Sequence, residues 1–96
     1  MITRIVKMKF QEQYIDDFKN FTKDIKDIIR NQEGCTYLDI LQDARNPNIF
    51  FTYSRWNSEI DLNNYRQTDF FRNIWPKTKE WFSDKPEAWS LEEVMN

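Results

Sequence analysis

The stretch IFFTYSRW, residues 49–56, carries a large side chain at nearly every position. Side chains along a β-strand alternate between faces, so Ile49, Phe51, Tyr53 and Arg55 share one side while Phe50, Thr52, Ser54 and Trp56 share the other. A strand with one side in water would alternate apolar and polar groups. This strand puts aromatic rings in both sets, so both of its faces call for cover.

Outward from it, ARNPN at 44–48 is a turn cluster, and CTYLDILQD before it alternates Cys35, Tyr37, Asp39 and Leu41 against Thr36, Leu38, Ile40 and Gln42. The two runs predict a hairpin. Gly34 precedes them as the only glycine of the chain, at a place suited to a left-handed helix end. From residue 12 to about 32, Tyr14, Phe18, Phe21, Ile25 and Ile28 recur at steps of three and four, widened by Ile15 and Ile29, which predicts an amphipathic helix. ITRIVKMKF at 2–10 alternates Ile2, Arg4, Val6, Met8 and Phe10 against Thr3, Ile5, Lys7 and Lys9, a first strand.

On the other side, Ser58 with Asp61 resembles a capping box that opens a second helix. Helical spacing continues through Phe70, Phe71, Ile74, Trp75, Thr78, Trp81 and Phe82, with a kink or break expected at Pro76, which has no N–H to donate. PEAWSLEEV, 86–94, alternates as a last strand. The order βαββαβ predicts an α+β fold of ferredoxin-like type, a four-stranded antiparallel sheet with helices on one face, formed by a single domain of residues 1–96. Helices on one face leave the other bare, yet Phe51 and Tyr53 on one side of the strand and Phe50 and Trp56 on the other mean that neither is built for water. A second copy of the chain, packed sheet to sheet as a homodimer, would supply the missing cover.

Composition narrows the function. Fourteen Lys and Arg are scattered among sixteen Asp and Glu for a net charge of −2, leaving no basic stripe for nucleic acid or an anionic membrane. The strand order is shared with RNA-recognition domains, but NIFFTYSRW lacks their basic lead and paired glycines. One cysteine permits no internal disulfide, and the first ten residues lack the apolar run of a signal peptide or membrane span, so a cytoplasmic protein is expected. With no histidine, metal sites built on imidazole are excluded, and a single glycine excludes a glycine-rich phosphate loop. Cys35 has no histidine to activate it and reads as a small buried hydrophobe. Sixteen Phe, Tyr and Trp, 17% of the chain, exceed what a thin core absorbs and suit an interface or an apolar pocket.

The segments NIFFTYSRWNSEIDLNNYRQTDFF and WPKTKEWFSDKPEAWSLE resemble the antibiotic biosynthesis monooxygenase (ABM) domain family: a strand ending in Trp, a Ser-initiated helix with a Tyr nine residues after that Trp, and PEAW leading into the last strand. The resemblance covers essentially the whole chain and implies a dimeric α/β barrel. It also implies one of two activities, oxygenation of quinols and anthrone-like polyketides without metal or flavin, or haem degradation. The haem branch uses a histidine as iron ligand where this chain has Trp75, a Trp where it has Tyr65, and a first-strand Asn near Lys7. An indole N–H only donates and cannot ligate iron, so the resemblance points to the cofactor-independent branch with no metal.

A cofactor-free oxygenase must bind an electron-rich substrate, help remove its proton and exclude water. Candidates for binding a small apolar or aromatic ligand are Trp56, Tyr65, Phe70, Phe71 and Trp75 as walls and Tyr37 and Tyr53 as hydroxyl donors. Candidates for chemistry are Tyr65, Arg4 and Asp39, with Arg4 or Arg55 steadying an oxyanion and Asp39 as a carboxylate base in apolar surroundings. Each has a plain alternative: core packing for the rings, a structural ion pair or exposed edge for Arg4 and Asp39. The expected function is a monooxygenase acting on a small aromatic, quinol or polyketide-like molecule. The alternative is a non-catalytic dimeric protein that binds an apolar molecule such as a fatty acid or quinone.

Overall fold

The computed structural model describes residues 1–94. In chain order it contains β1 (Ile2–Lys9), a short 3-10 turn (Glu12–Tyr14), α1 (Ile15–Arg30), β2 (Cys35–Gln42), β3 (Ile49–Trp56), α2 (Glu59–Arg66), α3 (Asp69–Lys79) and β4 (Glu87–Leu91). The strands form one antiparallel sheet in the order β2-β3-β1-β4, the ferredoxin-like arrangement. IFFTYSRW is β3, an inner strand with β2 and β1 on its two sides.

Local chemistry explains the element ends. α1 buries Phe18, Ile25 and Ile29 on one stripe, with Asp16 and Asp17 in its first turn and Arg30 in its last, each charge favourable to the helix dipole. Gly34 follows at φ 83° and its carbonyl accepts the Asn57 N–H at 2.8 Å, tying the start of β2 to the end of β3. In the β2–β3 turn the Asp43 carboxylate accepts the backbone N–H groups of Arg45 and Asn46, both at 2.8 Å, and these bonds hold its carboxyl below the usual carboxylate range. The Ser58 hydroxyl accepts the Asp61 N–H at 3.2 Å and opens α2.

Three expectations are corrected. The helical run after Ser58 is two helices, not one, because Thr68 accepts the Phe71 N–H at 3.1 Å and caps a new helix. No break falls at Pro76: that second helix passes through it and ends at Lys79. Proline there removes the bond to the carbonyl of Arg72, an exposed residue. Finally, Cys35 does not share a face with Tyr37. A bulge between them sets Cys35 opposite Trp56 and Tyr37 opposite Arg55, so the thiol turns toward the helices.

The register turns each sheet face into rows. On the helix side one row runs Leu38, Ser54, Arg4, Ser90 and the next Ile40, Thr52, Val6, Ala88. On the other side the rows are Tyr37, Arg55, Thr3, Leu91, then Asp39, Tyr53, Ile5, Trp89, then Leu41, Phe51, Lys7, Glu87. The helix side holds two buried clusters. One gathers Ile2, Trp56, Leu38, Ile25, Ile29, Leu62 and Tyr65; the other gathers Met8, Phe10, Phe18 and Phe50. On the far side Tyr37, Leu41, Trp89 and Leu91 remain 42–48% exposed.

Gly34 combines a positive φ with a crowded site, since an added Cβ would clash with the Asp61 side chain. Gly34→Ala therefore strains the backbone and displaces the acid at the start of α2. We expect a loss of about 1–3 kcal/mol, read as a lower urea midpoint with unchanged slope.

Candidate functional site

Between the inner sheet face and the helices lies a cavity of about 260 Å³. Its floor is the middle of the sheet, where side chains are short: Ser54, Thr52, Val6 and Ala88. The bulky residues stand at the two ends, in the clusters around Trp56 and Phe10, and prop α1 and α3 away from that floor. Trp56, Tyr65, Phe71, Ile74 and Trp75 form much of the wall.

The wall is ordered by ring packing. Trp56 is 1% exposed and its indole N–H donates to Ser54 Oγ at 3.0 Å, which fixes the ring. Tyr65 stacks on it at 5.1 Å and meets Phe71 edge-on at 5.2 Å. Phe71 in turn stacks on Trp75 at 5.9 Å, and Trp75 meets Phe82 at 5.8 Å. Offset and edge-on pairs of this kind contribute about 0.5–1.5 kcal/mol each beyond burial. The wall is thus a continuous chain of rings from the end of β3 to the end of α3.

Polar groups are few. Arg4 projects from the floor and its guanidinium donates to Ser90 Oγ at 2.9 Å on the neighbouring strand. Burial, and then the charge of Arg66, lowers its pKa. Arg66 lines the cavity from the last turn of α2. Burial above all, with a smaller contribution from Cys35, pushes the Tyr65 phenol well above its ordinary range, so at neutral pH it stays protonated and does not act as a base. Burial also pushes the Cys35 thiol up, away from the thiolate form a nucleophile needs. Among the described residues no aspartate, glutamate or cysteine lines the cavity. Among the described residues no group of His, Cys, Asp and Glu is placed to hold a metal ion.

The structure therefore brings together Trp56, Tyr65, Phe71, Trp75 and Arg4 around one chamber. Phe70 packs 6.5 Å from Tyr65 without lining it. Tyr37, Tyr53, Asp39 and Arg55 lie on the opposite sheet face, where they form their own network. The Tyr37 hydroxyl donates to Asp39, Arg30 pairs with Asp39 at 3.5 Å, and Arg55 donates to the Tyr53 oxygen at 3.0 Å. Arg66, Thr52 and Ser54 are chamber residues that sequence reasoning passed over. Ser54 and Thr52 were findable, because they share parity with Trp56 on β3; for Arg66 the sequence holds no signal.

With this geometry in view, comparison with known proteins adds the lineage. The family model described as antibiotic biosynthesis monooxygenase matches residues 1–76. The chain belongs to the antibiotic biosynthesis monooxygenase family. A crystal structure of an antibiotic biosynthesis monooxygenase superposes with a TM-score of 0.93 at 17% identity, covering 99% of this chain and 100% of that one. A conserved protein from Methanosarcina mazei Go1 gives 0.90 at 23% identity, over 97% and 93% of the two chains. A protein from Mycobacterium tuberculosis gives 0.89 at 15%, over 99% and 96%. At such identities the likeness concerns the fold. Among curated proteins there is no significant match.

Because the Tyr65 pKa is raised in the folded chain, its neutral form contributes stability that is present below the unfolded tyrosine value of about 10 and is lost as pH rises above it. Unfolding measured between neutral and strongly alkaline pH should show Tyr65→Phe losing less stability across that rise than the parent. Equal slopes for the two proteins would contradict the burial of this phenol.

Proposed function

We propose that this ABM-family protein is a monooxygenase that oxidises a small aromatic, quinol or polyketide-like molecule in the chamber, without metal or flavin. The observation that carries the reading is a ring-walled apolar cavity whose few polar groups are cationic or neutral donors. Such a site favours the anion of an electron-rich substrate over its neutral form.

For an anthrone the chemistry balances as follows. The methylene loses a proton to water and leaves an enolate, whose oxygen Arg4 steadies. The enolate passes electron density to dioxygen, and a carbon–oxygen bond forms at the former methylene carbon. The peroxide takes up a proton. Loss of the remaining C–H proton then breaks the O–O bond and expels water, leaving a carbonyl. Substrate and O2 become ketone and H2O, and the substrate is the only reductant. The protein's part is to hold the ring system against Trp56 and Trp75, to offer the Tyr65 hydroxyl as donor, and to exclude bulk water.

One observation favours a second reading, that of a non-catalytic binding protein: among the described residues no carboxylate or imidazole lines the chamber. An oxygen electrode separates the two. Enzyme-dependent uptake with an anthrone or quinol, insensitive to chelator and reduced at least about tenfold in Trp75→Ala, supports the monooxygenase. Uptake equal to the autoxidation blank, with an apolar molecule retained in native mass spectrometry, supports the binding protein instead.

We further propose that a second copy of the chain covers the outer sheet face. The support is the row Tyr53, Ile5, Trp89, flanked by Leu41, Phe51 and Leu91, which forms an apolar band bordered by charges on the face that carries no helix. Sedimentation at micromolar concentration should give a dimer, and the double variant Ile5→Lys, Trp89→Glu a folded monomer. A parent protein that sediments as a stable monomer would sink this assembly.

A further inference from the structure

We propose that the ligand of the chamber is an amphipathic organic anion, with an aromatic or otherwise apolar body against the ring wall and an anionic oxygen group held at the mouth between Arg4 and Arg66. This rests on the chamber being the ligand site but not on any oxygen chemistry within it.

The mouth is located by exposure. Of the lining residues only Arg66 and Ala88 are exposed; Arg4 and Pro86, which neighbour Ala88 in the sheet and in the chain, are half-buried like several other wall residues, and Met8, Phe18, Trp56 and Leu62 are buried. The opening therefore lies between the end of α2 and strand β4, and both arginines stand on it. They act on each other, since the charge of Arg66 opposes that of Arg4.

Neither has an acidic partner. The chain carries sixteen Asp and Glu, yet the ion pairs among the described residues belong to Arg30, with Asp27 and Asp39 at 3.5 Å. Arg4 rests on a neutral serine, and one turn before Arg66 stand Leu62 and Asn63. Two like charges, one of them half-buried in an apolar sheet face, are an unfavourable arrangement unless something negative joins them. Arginine forks match planar anionic oxygen groups such as carboxylates, and a guanidinium bonded to a serine keeps further N–H groups free for them. Ser54, Arg4 and Ser90 make a polar row across the floor, and the Thr52 hydroxyl in the next row is neutral, so Arg4 is the one charged position on the floor to which the charged end of a ligand can be drawn.

The test uses two dyes with the same body, anilinonaphthalene sulfonate and the uncharged phenylnaphthylamine, titrated by fluorescence. Arg4→Met and Arg66→Met should each weaken the sulfonate about tenfold or more, the scale of a charge-assisted hydrogen bond, and leave phenylnaphthylamine unchanged. Thr52→Phe, which fills the floor, should abolish both. If that variant fails to fold, Ala88→Trp at the mouth serves the same purpose. Arginine variants that bind the sulfonate as the parent does would overturn the anion assignment while the chamber stands. Dye binding that survives the filled chamber would overturn the chamber itself as the site.

Discussion

The structure depends on an uneven distribution of side-chain size along the inner sheet face. Large rings sit at both ends, Trp56 with Tyr65 at one and Phe10 with Phe18 and Phe50 at the other, where Phe10 and Phe18 stack at 4.2 Å. Short side chains sit between them. Helices are stiff over this length, so an element supported at its two ends cannot sag to fill the middle. The cavity is therefore a consequence of where the volume is placed and not of loose packing. Filling it requires bulk on the floor, at Thr52, Val6 or Ala88.

The same strands serve the opposite face, because alternation gives each of them two independent sets of residues. β1 sends Arg4, Val6 and Met8 to the helices and Thr3, Ile5 and Lys7 to the other side. Changes on one face leave the other face's chemistry in place. A chain of 96 residues can thus carry a chamber and an apolar outer band on one four-stranded sheet. β4 is the weak point of this arrangement, an edge strand exposed along its whole length, and it borders both the chamber mouth and the outer band.

Periodicity revealed most of the architecture in the sequence. The stripe of α1, the glycine at its end and the Ser58–Asp61 pair each announced an element by a local physical rule, and local rules are what a sequence displays. Thr68 was hidden because a threonine inside an amphipathic run looks like its polar face until its backbone turns. The bulge at Thr36 was hidden because it reflects how β2 meets β3, which neither strand states alone. The site candidates divide along strand parity. Tyr53 and Trp56 point to opposite sides of one strand, so a chamber on one face could never have taken both, and the same alternation separates Tyr37 and Asp39 from Leu38. Arg66 belongs to the chamber through the packing of α2 on β3, a tertiary fact.

A chamber with no carboxylate or imidazole among its described lining residues bears on how any proton could leave a substrate there. Acidity is set by the difference in stability between the two protonation states, and a base is only one way of changing it. A cation about 4 Å from a developing oxyanion, at the effective dielectric of about 20 that suits partly buried sites, is worth about 4 kcal/mol, or about three pKa units. A phenol or enol whose ordinary pKa is near 10 would then be substantially ionised at neutral pH, with water carrying the proton away. The Tyr65 phenol shows the opposite effect in the same protein: burial without a close cation raises its pKa. In the proposed site the two phenols would differ in burial and in position relative to Arg4 and Arg66, and on that reading these arginines, and not a missing carboxylate, favour an anion there.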